Sequence, residues 1–233
     1  MKKMFQIVIL FSFIGVLTSI LLSNTADKNP IYKILPADES KGNTSLTRFI
    51  ITLKAIVANK DTNELFRTLD PNIIVSYGGG LNGIKEFSNY WNLNNPDETG
   101  LWKLLSQELK YGGTWEKDEI GKYFCIPYTH SAKAFKKINF GFDWYITAVC
   151  VDAKAKVYQR EEVDDEYCCG VLNYDIVLID LDYYREKFAK ISSIGNRLNG
   201  YVLTEDLLYA ADPHLVIRNI NGNWKITAFA PFD

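Results

Sequence analysis

The sequence predicts an α+β fold: a helix-rich front half, a small strand-built barrel behind it, and a β-hairpin at the C-terminus. Three observations predict this. Leu46, Phe49, Ile50, Leu53, Ile56 and Val57 recur at helical spacing over three turns. Residues 144–151, 166–172, 175–181, 187–192 and 200–203 are short apolar runs separated by turn-forming or charged residues, the spacing of a small barrel. Asn221-Gly222-Asn223 stands between Leu215–Ile220 and Trp224–Phe229, and Asn-Gly between two strand-like runs marks a hairpin.

Taken in order, the elements begin with Lys2 and Lys3, followed by Phe5–Leu22, a stretch without a charge. A basic start followed by an apolar run is the pattern of export. As a helix the run would be about 27 Å long, at the boundary between a cleaved signal and a retained anchor. Residues 1–26 therefore read as a signal peptide or membrane tether through residues 5–22. The expected location is periplasmic, or anchored to the inner membrane and facing outward. Residues 27–44, with Pro30, Pro36 and Gly42, read as a linker.

The helix-rich domain is expected over residues 45–145. Asp61 and Glu64 form a capping pair for a second short helix before Pro71. Ile73, Val75 and Tyr77 alternate like a strand that ends in Gly78-Gly79-Gly80. Further helices are predicted from Asn82 to Trp91 and from Thr99 to Leu109, with Gly112-Gly113 as a stop. The glycine-rich stretch Ser76–Gly83 lacks the lysine and the spacing of a nucleotide loop, and reads as a strand-to-helix turn.

The formal charge is −2, and no basic run exceeds Lys136-Lys137, so nucleic acid is excluded as a partner class. Four cysteines in an exported chain admit a disulfide. Cys150 with Cys169 is the pairing taken here, the alternative being four small buried hydrophobes. No C-x-x-C occurs and His130 and His214 are far apart in sequence, so neither a metal nor a cofactor is expected. The acidic run Glu161–Glu166 lacks a calcium-loop pattern and reads as a solvated loop.

Three sets of motifs carry resemblances. Gly170-Val171-Leu172-Asn173-Tyr174-Asp175, Phe188-Ala189-Lys190-Ile191 and Gly200-Tyr201-Val202-Leu203 make the segment from about Val149 to Leu208 resemble the bacterial SH3 domain family. That resemblance implies an SH3-like β-barrel over residues 146–210, with the hairpin at 211–233. Asp70-Pro71, Leu101-Trp102-Lys103, Ile126-Pro127-Tyr128 and Asn221-Gly222-Asn223-Trp224 make residues 46–233 similar to exported bacterial proteins that carry an SH3 module. The helix–strand–helix start and the same hairpin are also similar to the nuclear-transport-factor-like α+β cone.

The SH3 resemblance implies a noncatalytic binding module. Its ligand would be cell-wall peptide or an envelope protein, contacted by Tyr158, Tyr174, Asp175 and Tyr184 on the loop face of the barrel. Tyr158 stands where the family often has arginine, and Phe188 where it has tryptophan. The alternative class is an envelope enzyme with its site in residues 45–145 and the barrel as a targeting module. The absence of a nucleophile–base pattern in that segment favours the noncatalytic reading.

Overall fold

The front of the chain folds on its helical periodicity. The computed structural model describes residues 32–80, 82–138, 143–194 and 198–231; the predicted signal or tether lies outside them. Helix α1 (Thr44–Ala58) starts where the Asn43 side chain accepts the Leu46 N–H at 3.0 Å, and it buries Leu46, Leu53, Ile56 and Val57. Helix α2 (Thr62–Thr68) is capped by Asp61, whose carboxylate accepts the Glu64 N–H at 3.0 Å. Strand β1 (Leu69–Ile74), helix α3 (Ile84–Tyr90) and helix α4 (Leu101–Lys110) follow. Helix α4 turns Leu101, Trp102, Leu105 and Leu109 inward. A Cβ on Gly112 would stand 2.4 Å from the Ala37 carbonyl oxygen, and one on Gly113 2.3 Å from that of Cys125. These glycines admit a close backbone approach in addition to following a helix.

Two strands that the sequence reading omits come next, β2 (Thr114–Lys117) and β3 (Lys122–Ile126), then helix α5 (Ala132–Ile138). Seven short strands follow: β4 (Thr147–Cys150), β5 (Ala155–Tyr158), β6 (Cys168–Leu172), β7 (Ile176–Ile179), β8 (Phe188–Ser193), β9 (Asn199–Leu203) and β10 (Leu207–Tyr209). The chain then forms β11 (His214–Ile220) and β12 (Asn223–Ala230).

The pairing of these strands corrects the predicted fold in two ways. First, no SH3-like barrel closes among the described residues. Strands β4 to β10 form an open seven-stranded sheet in the order β10-β4-β7-β8-β9-β5-β6, whereas a barrel needs its two outer strands joined. A turn separates β4 from β5. The Asp152 carboxylate accepts the Lys154 N–H at 2.8 Å and turns the chain. Strand β4 then pairs with β7 and β10, while β5 pairs with β6 and β9 toward the other end.

Second, among the described residues there is no helix-rich front domain separate from the C-terminus. The first sheet has the order β1-β12-β11-β3-β2, so the C-terminal hairpin supplies two of its three interior strands and β4 to β10 are an insertion between β3 and β11. Burial explains the placement. Ile217, Ile226 and Phe229 pack with Leu69, Ile73, Phe124 and Ile126 against the helices, apolar area that would otherwise face water at about 25 cal/mol per Å2. Trp224 packs on the same core and donates its indole N–H to Ser45 Oγ at 3.0 Å.

Residues read as linker also join the packed structure. Ile34 is buried, its N–H donates to the Tyr174 carbonyl at 3.0 Å, and the Ile176 N–H donates to the Tyr32 carbonyl at 3.0 Å. Ile34, Tyr128, Ala134, Val149, Ile176 and Ala210 form a small core of their own, built from residues of both sheet regions.

Candidate functional site

Strand alternation sends one side of the five-stranded sheet to the helices and the other away from them. Leu215 and Ile217 of β11 face the helices, so His214, Val216 and Arg218 face the opposite side. On β3, Phe124 and Ile126 face the helices and Tyr123 and Cys125 do not. A bulge at Thr227 resets the register of β12: Val216 pairs with Ala228 and Ile217 with Ile226. The Thr227 hydroxyl donates to the Val216 carbonyl at 3.2 Å. The bulge allows Ile226 and Phe229 to enter the core while Ala228 lines the far face, the re-aiming that such irregularities produce.

That far face holds a cleft of about 940 Å3, within the size range of small-molecule sites. Its floor is apolar, from Ile74, Val216, Ala228 and Cys125, and the tips of the two hairpins, with Ile120 and Asn221, form its outer end. At the inner end three rings lie nearly parallel. The His130 and His214 ring centroids are 5.4 Å apart at 15°, and Tyr77 stacks on His214 at 5.9 Å and 16°. Tyr77 arrives from the glycine-rich turn, in which Gly79 and Gly80 have φ of 103° and 121°, values that side chains other than glycine rarely adopt.

Burial sets the protonation of this site. It lowers His130 to about 4, against smaller opposing effects of the Asp212, Tyr209 and Ala210 backbone. It also holds His214 well below the usual histidine range, aided by the neighbouring His130. Both imidazoles are therefore neutral at physiological pH. Burial, then Cys125 and Tyr123, pushes the Tyr77 hydroxyl up to about 12, and burial pushes the Cys125 thiol well above its ordinary range. Toward the outer end, Arg218 pairs with Asp118 and lies over the Tyr123 ring at 4.8 Å. Burial opposes ionisation of Asp118, but the bonds from Arg218 and the Gly121 and Ile120 backbone outweigh it and hold the carboxyl below its usual value.

No family model, curated protein or solved structure matches the chain. The geometry alone therefore defines the site. Burial disfavours the thiolate form of Cys125 and the imidazolium forms of both histidines. Among the described residues no three His, Cys, Asp or Glu side chains gather as a metal site. What the arrangement supplies is ring faces, an apolar floor, and hydrogen-bonding groups at its rim.

The residues expected from the SH3 resemblance lie on the other sheet, in separate environments. Tyr158 is buried and packs edge-on against Phe188. Tyr174 occupies the turn before β7 with φ of 58°, and Asp175 pairs with Lys33 at 3.6 Å. Tyr184 packs on Tyr209 at 4.9 Å, and its hydroxyl lies 3.5 Å from the Asp212 carboxylate. The expected Cys150–Cys169 disulfide is not formed. Both thiols are free, Cys150 buried in β4 and Cys169 exposed in β6, and the two strands stand far apart in the sheet order. In the acidic loop, Asp165 pairs with Lys156 and Glu162 with Arg160, each at 2.6 Å.

Sequence reasoning missed the stack of His130, His214 and Tyr77. The signal that brings the histidines together is the pairing of β3 with β11, in which Ile126 opposes Leu215. His130 follows the end of β3 and His214 begins β11, so this register places them side by side.

Proposed function

We propose that this chain is a noncatalytic binding protein of the cell envelope, and that its ligand occupies the cleft on the face of the five-stranded sheet turned away from the helices. One observation carries the reading: a cleft of about 940 Å3 with an apolar floor and polar ends, which is the common form of a small-molecule site. The high thiol pKa and the low imidazole pKa values beside it favour binding over bond-making. The envelope location rests on Lys2, Lys3 and the apolar run Phe5–Leu22.

The test uses two substitutions that fill the cleft, Asn72→Trp at an exposed wall position and Ile74→Trp at a half-buried one. Ligand-observed NMR with a mixed fragment library is run on the wild type and both variants. Fragments should bind the wild type and be lost from whichever variants retain the wild-type circular dichroism. Fragment binding that survives Asn72→Trp in a folded protein would place the site elsewhere, and a wild type that binds no fragment would overturn the assignment.

A further inference from the structure

We propose that the ligand of this cleft is an uncharged oligosaccharide lying along β11, an inference that rests on the cleft being the binding site. Shape is the first argument. The cleft follows β11 from His214 to Ile220, which spans about 20 Å at the rise of an antiparallel strand. It remains open at the hairpin tips, where Ile120 is 83% exposed. That is room for several sugar rings in a row, with an exit for a longer chain.

Charge is the second argument. Arg218 and Asp118 neutralise each other across the outer end, and the Asp70 carboxylate is engaged by the Asn72 N–H at 2.8 Å. Lys122 remains as an exposed cation at the lip. Asp70 and Asp118 thus balance Lys122 and Arg218 among the described lining residues, which favours a neutral polar molecule over one of strong charge of either sign.

Chemistry is the third. A sugar ring presents an apolar C–H face and an edge of hydroxyls. Tyr77, 44% exposed, brings an aromatic ring to the cleft. The side chains of Asn72, Asn219 and Asn221 supply amide donors and acceptors at the outer end. The Asn219 side-chain Oδ1 accepts the Gly222 N–H at 2.9 Å, which orients that amide before a ligand arrives and reduces the entropy lost on binding.

Isothermal titration calorimetry on the full chain tests the proposal, with tetra-N-acetylchitotetraose and cellotetraose as probes beside their disaccharides and monosaccharides. At least one series should bind, with the dissociation constant falling by about tenfold or more from disaccharide to tetrasaccharide. Tyr77→Ala should weaken the tetrasaccharide by about tenfold, and Asn72→Trp should abolish it. If no oligosaccharide binds at millimolar concentration, or affinity does not grow with length, the ligand class is wrong. In that case fragments that Asn72→Trp still excludes would keep the cleft as the site. Oligosaccharide binding unaffected by Asn72→Trp overturns the proposal, and fragments equally unaffected overturn the site with it.

Discussion

Replacing Glu108 by glutamine should make the stability of this protein less dependent on pH. Glu108 lies on the inward face of α4, is fully buried, and neither carboxyl oxygen has a hydrogen-bond partner. The charged and titratable groups that act on it are Asp212 and Arg185. Burial first, and Asp212 second, push its carboxyl well above the ordinary value of 4.5, against the attraction of Arg185. The folded state thus keeps a proton that the unfolded chain releases above about pH 4.5. Stability contributed by the protonated carboxyl is fully present below that pH and falls as pH rises toward the folded-state value.

The slope is about 1.4 kcal/mol per pH unit for one group. Glutamine cannot ionise, so its own cost is a constant offset. The difference in unfolding free energy, variant minus wild type, should therefore rise between pH 5 and pH 8, by at most about 1.4 kcal/mol per pH unit. Urea unfolding of both proteins at half-unit steps of pH measures it. A difference that stays flat across that range would show that Glu108 is ionised and solvated in the folded protein, which would refute the reasoning.

Two further predictions concern the packing. Arg185 donates to the buried Asp212 at 2.5 Å while remaining half-exposed itself. Arg185→Met should destabilise by about 2–3 kcal/mol, less than for a fully buried pair because solvent reaches the arginine, and adding Asp212→Asn should restore part of the loss in urea unfolding. Truncation after Asp212 removes β11 and β12, two of the three interior strands of the five-stranded sheet, and should abolish cooperative unfolding. A truncated protein that still melts sharply with native near-ultraviolet circular dichroism would show that the hairpin is an appendage.

Local structure was legible where one short-range effect dominates. The spacing of Leu46, Leu53, Ile56 and Val57 marked α1, the Asp61–Glu64 pair marked the start of α2, and Asn221-Gly222 marked the turn between β11 and β12. Most strands from β4 to β9 fell near their predicted positions, yet their sheet was misread. Strand propensity is local, whereas the partners of β4 and β5 depend on where the Asp152 turn sends the chain. The hairpin was read as terminal because its sequence carries no mark that β1 and β3 would flank it.

The site was hidden for the same reason. Tyr77, His130 and His214 stand in three distant segments, and only the β3–β11 register and the glycine-rich turn bring them together. The tyrosines favoured from the SH3 resemblance had the right chemistry for a ligand, but Tyr158 was needed in the core and Tyr184 in contact with Tyr209.

Backbone amide NMR, titrated with a fragment that binds, tests the central claim most directly. Binding in the cleft predicts shift changes at Tyr123, Val216, Arg218 and Thr227, with the seven-stranded sheet unmoved. Changes centred instead on Tyr158, Tyr174, Asp175 and Tyr184 would contradict the assignment and return the site to the other sheet.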